Sequence, residues 1–138
     1  MNAVDTNVLL YSIDHLVPQK QSVAEPLLVW LAPSGDAILI WQVATEFLSN
    51  LRRWKDAGRI VENGVEAYFD AIYGVFPLVL PSRGVLDRSL GLYSRYSLSH
   101  WDSLLVAACL DAGVTTLYSE DMGHEAQYDG LTIINPFL

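Results

Sequence analysis

The feature that most constrains this chain is an alternation. Short apolar runs with strand character are separated by longer segments whose apolar residues recur every three or four positions. Ala3 to Val4, Ala37 to Ile40, Leu78 to Leu80, Thr115 to Tyr118 and Leu131 to Ile134 read as strands. Between them, Val43, Phe47, Leu51 and Trp54 step by four, four and three, which marks one face of a helix. A second helix is predicted after Asn63, through VEAYFDAIYGV, and a third over RGVLDRSLGLYSRY. In the third, Val85, Leu86, Ser89, Leu90, Tyr93 and Tyr96 are expected on the inner side. The best-defined helix, SHWDSLLVAACLDAG, starts at Ser99 and stops at Gly113, a glycine suited to the position just past a helix end. Strands joined by helices imply parallel β-α units, hence an α/β sandwich.

One domain accounts for residues 1–138, because the 51% hydrophobic content can build a core and no linker, repeat or low-complexity tract interrupts it. No run reaches the length of a membrane span and no basic, apolar leader opens the chain, so the expectation is a soluble, cytoplasmic protein with no membrane partner. The single cysteine, Cys109, lies in the apolar run LLVAACL and reads as a buried, inert thiol. Sixteen acidic residues against eight Lys and Arg give a net charge of -8. That balance argues against binding nucleic acid through bulk electrostatics, although gathered carboxylates also arise where divalent cations are held.

Open α/β sheets collect ligands beyond the carboxyl ends of their strands. Asp5 follows the first strand, Glu46 comes soon after the second, Asp102 sits in the first turn of the helix from Ser99, and Ser119, Glu120 and Asp121 follow the fourth. Each acid has a purely structural explanation. Asp5 can cap a helix, Ser99 with Asp102 forms a capping-box spacing, Glu46 can answer a helix dipole, and Glu120 and Asp121 can be solvated turn acids. Together they bring like charges to one rim, where the repulsion calls for a cation. All-oxygen ligands without a cysteine or paired-histidine spacing point to a hard ion such as Mg²⁺ or Mn²⁺. His15, His100 and His124 have no ligand spacing and read as surface or loop residues.

VDTNVLLY near the start, ATEFL in the middle, YSLSHWDSLLVAACLDAGVTTLYSEDM later and LTIINPF at the end together resemble a PIN-domain ribonuclease. Within that family the likeness is to the VapC-type toxins of bacterial toxin–antitoxin pairs, and it spans essentially the whole chain. The resemblance implies a three-layer α/β/α sandwich with a central parallel sheet and an acidic site holding Mg²⁺ or Mn²⁺. Carried onto matching positions, Asp5, Glu46, Asp102 and Asp121 would be the site carboxylates, with Thr6, Asn7 and Ser119 as supporting groups. Glu120 competes with Asp121 for the fourth place, and the match to SEDM favours Asp121. A cognate antitoxin and a homodimer are implied as well.

RNA would need local positive charge on so acidic a chain, and Arg52, Arg53, Lys55 and Arg59 form the only dense basic cluster. A solvated helix end explains those residues equally well. Trp30, Trp41, Trp54 and Tyr68 could serve a partner, but core packing is the expected role for most of them. Two other readings fit the same acids. One is a catalytically silent PIN-like scaffold that binds RNA or protein. The other is a receiver-type regulator, which wants a lysine after the last strand where this chain has NPFL.

Overall fold

A computed structural model describes residues 1–138. Strand β1 (Asn2–Val4) leads into helix α1 (Thr6–Tyr11) and then α2 (Pro18–Leu31), which ends in a 3₁₀ turn, Ala32–Ser34. Next come β2 (Ala37–Ile40), α3 (Trp41–Asp56), α4 (Gly64–Tyr73) and β3 (Leu78–Val79). The chain continues through α5 (Arg83–Tyr96), α6 (His100–Asp111), β4 (Thr116–Tyr118), β5 (Gln127–Tyr128) and β6 (Leu131–Ile134).

The six strands form one sheet in the order β3-β2-β1-β4-β6-β5. All neighbours run parallel except β5, which turns back antiparallel on β6 through Asp129 and Gly130, both at positive φ. The sheet is therefore mostly parallel rather than wholly so, and Gln127–Tyr128 is a strand the apolar pattern does not announce. Its order, with β1 central, differs from the 2-1-3-4-5 arrangement of flavodoxin-like regulators. That topology overturns the receiver reading.

Right-handed crossovers place α1 to α4 on one face of the sheet and α5 with α6 on the other. The packing agrees: α1 lies against α2 and α3, α3 against α4, and α5 against α6. Strand β2 is buried along its whole length, as expected of a parallel strand covered on both sides. The core gathers Val8, Leu9, Phe47, Leu51, Leu117 and Ile133, all at most 1% exposed.

The structure corrects three expectations. Helix α2 has no counterpart in the apolar pattern, because Pro26 sits inside it and its apolar residues mark no single face; Pro18 at its start is the available signal. In α5 the buried residues are Val85, Ser89 and Leu92, while Leu86, Leu90 and Tyr93 face solvent. The two stripes are adjacent on one helix, and α5 packs chiefly against α6, so a single stripe finds cover. Trp30 and Trp41 are exposed rather than core, at 62% and 45%, whereas Trp54 and Tyr68 pack partly against the core.

Candidate active site

Parallel pairing of β1 with β4 sets Val4 beside Tyr118, so the residues that follow, Asp5 and Ser119, emerge side by side at the carboxyl end of the sheet. The Asp5 amide donates to the Tyr118 carbonyl at 2.8 Å, which pins the carboxylate at that point. Asp5 is the N-cap of α1: one oxygen, Oδ1, accepts from the Thr6 amide at 2.7 Å. The other, Oδ2, accepts from the buried Ser119 hydroxyl at 2.7 Å. Asp5 thus caps a helix and also anchors a network, so the cap explanation is true but incomplete.

From this hub the network spreads to two more acids. The Thr6 hydroxyl donates to Glu46 Oε2 at 2.8 Å. Glu46 lies in the second turn of α3, one turn too far in to serve the helix start. Ser119 Oγ accepts from the Asp121 backbone amide at 3.0 Å, and the Asn7 side-chain nitrogen Nδ2 donates to Asp121 Oδ2 at 3.3 Å. Glu120 turns away, ion-paired with Lys20 and accepting from the Tyr11 hydroxyl at 3.0 Å. The two neighbouring acids are separated in space: the Asp121 side chain faces the Asp5 network, and the Glu120 side chain belongs to a separate cluster.

Asp102 sits in the first turn of α6, where its amide donates to the capping Ser99 hydroxyl at 3.1 Å. Its carboxylate makes no hydrogen bond or ion pair with the other three acids. The link between α6 and α3 is Gln42, whose side-chain nitrogen donates to the Trp101 carbonyl at 3.1 Å and reaches Glu46 Oε1 at 3.4 Å. Sequence reasoning missed Gln42, although its spacing four residues before Glu46 on a helix was a usable signal.

Burial is the main force on Asp5 and raises its pKa from 3.8 to about 6, with the charges of Glu46 and Asp121 adding to it against the hydrogen bonds from Ser119 and Thr6. The cluster is short of positive charge. No three His, Cys, Asp or Glu side chains converge into a ready-made metal cage. Mg²⁺ needs no such cage, since it keeps several waters and commonly takes one or two carboxylates plus substrate phosphate. The donors fit that style of binding. They are all oxygen, each Asp5 oxygen accepts one hydrogen bond where it has room for more, and the Asp102 carboxylate is free of protein partners.

The basic cluster lies elsewhere. Counting along α3, Arg52 to Lys55 stand about 9–14 Å beyond Glu46 in axial rise. Arg59 is held by Asp14 at 2.9 Å and stacks 4.1 Å over Trp54, while Arg53 donates to Asn50 at 2.8 Å. Cys109 is fully buried and its thiol is pushed up to about 12 by that burial. His15, His100 and His124 contact Gln21, Trp101 and Asn135 and stay outside the acid network.

No protein-family profile matches the sequence, and no curated protein matches it. Solved structures do match over nearly the whole chain. A toxin–antitoxin complex from Klebsiella pneumoniae aligns at TM-score 0.67 and 17% identity, covering 99% of this chain and 98% of that one. VapBC2 from Rickettsia felis, solved on a DNA fragment from its promoter, aligns at TM-score 0.72 and 14% identity over 96% of each chain. VapC20 of Mycobacterium tuberculosis, a Sarcin-Ricin loop cleaving toxin, aligns at TM-score 0.65 and 16% identity, covering 88% and 90%. The chain has the fold of VapC-type PIN-domain toxins. In this PIN fold the acids stand where strand ends and helix starts meet, at the carboxyl rim on which ligands of parallel α/β sheets collect.

Proposed function

We propose that this chain is a Mg²⁺- or Mn²⁺-dependent endoribonuclease that hydrolyses RNA phosphodiester bonds as the toxin of a toxin–antitoxin pair. The observation that carries the reading is the buried Asp5 hub, wired through Thr6, Ser119 and Asn7 to Glu46 and Asp121. Asp5 and Asp102 are the residues that would hold the ion, and Glu46 and Asp121 would complete the site or orient water. A bound ion supplies acidified water and neutralises charge that builds on the phosphodiester. The chain's own groups do the positioning. Thr6 fixes Glu46, Ser119 ties the turn bearing Asp121 to Asp5, and Gln42 holds the starts of α3 and α6 in register.

A cognate antitoxin is proposed as the protein partner and the cytoplasm as the compartment; no helix is long and apolar enough to cross a membrane. A homodimer is proposed too, supported by the exposed stripe of Leu86, Leu90 and Tyr93 on α5. Purified protein, stripped of any co-purified partner, is expected to cleave RNA with Mg²⁺ or Mn²⁺ and to stop in EDTA. Full cleavage in chelator by protein free of contaminating nuclease would remove the metal mechanism. RNA binding with no cleavage under any metal would leave a silent scaffold.

A further inference from the structure

Two of the acids assigned to the site ride on segments that are not joined to each other directly. Asp102 follows the short link between α5 and α6, and Asp121 lies in the turn after β4. Gln42 ties the start of α6 to Glu46, but no hydrogen bond or ion pair connects Asp102 with Asp121. Like charges repel, so the space between the two carboxylates has to be set by other groups.

The β5–β6 hairpin connects the two segments. At the end of α5, Arg95 is ion-paired with Asp129, and the Tyr96 hydroxyl donates to Asp129 Oδ1 at 2.6 Å while accepting from the Asp129 backbone amide at 3.2 Å. The Tyr128 ring meets the Tyr96 ring edge-on, with centroids 5.1 Å apart. On its other side the Tyr128 hydroxyl donates to the carbonyl of Met122 at 3.0 Å, one residue past Asp121. Met122 has a φ of 67°, a left-handed conformation that a non-glycine residue keeps only where its surroundings impose it. Burial and, after it, the charge of Asp102 raise the Tyr128 hydroxyl above its ordinary value. The phenol therefore stays a donor and stands within electrostatic reach of Asp102.

Resting on the ribonuclease reading, we propose that Tyr128 is a positioning residue: its hydroxyl, braced by Tyr96 and Asp129, sets the separation of Asp102 and Asp121 across the metal site. It acts through the turn that carries Asp121 and not on the ion or the RNA. A hydroxyl that served folding alone would change stability and nothing else. One that spaces the acids changes the affinity for the ion, because a small hard cation tolerates little change in ligand geometry.

The test follows Mn²⁺ binding through the EPR signal of the free ion, beside kcat and KM for a reporter RNA and the metal-free melting temperature. Tyr128→Phe keeps the ring and removes only the hydroxyl. It is expected to raise the Kd for Mn²⁺ about 10-fold, as loss of a group supporting a metal site does, with the KM for RNA at saturating Mn²⁺ unchanged. Tyr96→Phe should shift the Kd in the same direction by less, and the double variant no further than Tyr128→Phe, since both act through one strut. Tyr73→Phe on α4 should match wild type. Wild-type Mn²⁺ affinity in Tyr128→Phe overturns the proposal, while RNA cleavage by the same protein keeps the ribonuclease reading. A raised KM for RNA at unchanged Mn²⁺ affinity also overturns it and makes Tyr128 an RNA contact. Should Tyr128→Phe fail to fold, Tyr96→Phe decides, and unchanged Mn²⁺ affinity there overturns the proposal. A wild type that binds no Mn²⁺ and cleaves no RNA removes the ribonuclease reading itself, and the strut with it.

Discussion

Replacing Asp5 by asparagine sets the two roles of this residue against each other. In metal-free protein the folded state holds the Asp5 proton up to about pH 6, against 3.8 in an ordinary carboxyl. At 1.36 kcal/mol per pH unit that gap opposes folding by roughly 3 kcal/mol once the group is ionised. The sign is that of a raised acid: the stabilising proton is fully present below pH 3.8 and is lost as pH rises through about 6. Wild-type stability should therefore fall across that window when no metal is present. The asparagine side chain cannot ionise and keeps an oxygen for the Thr6 amide, but it disturbs the Ser119 hydroxyl bond, at a cost of about 1 kcal/mol. Asp5→Asn should thus be more stable than wild type at pH 7 by about 1–2 kcal/mol, read as a melting temperature higher by several degrees. Metal reverses the order. At a hundred times its dissociation constant an ion stabilises wild type by about 2.7 kcal/mol, and the variant should lose most of that rise together with RNA cleavage. Thermal melts at pH 4, 5, 6 and 7, with and without Mn²⁺, read all three effects. A variant less stable than wild type at pH 7, with the Mn²⁺ shift intact, would reduce Asp5 to a helix cap and remove the foundation of the functional reading.

Two further outcomes are expected. Asp121→Asn should slow RNA cleavage by about 100-fold, as loss of a group supporting a metal site can, while Glu120→Gln should cleave close to wild type and melt close to it too, since its Lys20 pair lies at the solvent-exposed surface; equal cleavage rates in a side-by-side assay would refute different roles for the two acids. For the basic cluster, a combined Arg52, Arg53 and Lys55 replacement by alanine should flatten the salt dependence of RNA binding by about one unit of slope or less for each phosphate interaction removed, and an unchanged slope would return these residues to the solvated helix end.

How far the site is legible in the sequence depends on whether a residue's role is local. Asp5 is legible because a carboxylate between Val4 and Val8 conflicts with its apolar neighbours, and Asp102 because it falls in the first turn of a helix at the same rim, although Ser99 three residues before it also offers a capping explanation. The helix from His100 to Asp111 is equally plain, with a serine cap and a glycine stop. Gln42 is only half legible: its spacing before Glu46 can be read, but its partner carbonyl belongs to Trp101, 59 positions away in sequence. Glu120 and Asp121 are told apart only by the structure, in which Lys20 and Tyr11 claim the first. The inner face of α5 escapes the sequence for a related reason. Apolar residues line two adjacent stripes, and periodicity alone does not say how many neighbours a helix will have.

Both borders of the sheet are made of two-residue strands. Leu78–Val79 is bracketed by Pro77 and Pro81, and Gln127–Tyr128 is folded against β6 by a tight turn. A guest polypeptide therefore finds almost no open backbone ladder to extend, which also protects the chain from joining edge to edge with its own copies. Recognition by strand addition is closed to this molecule. Any peptide that grips it must do so through side chains, by laying a helix or an extended segment across the helical faces. Specificity toward such a peptide would then rest on which apolar knobs fit which surface grooves, and point changes on exposed helix positions could alter it while the sheet stays intact.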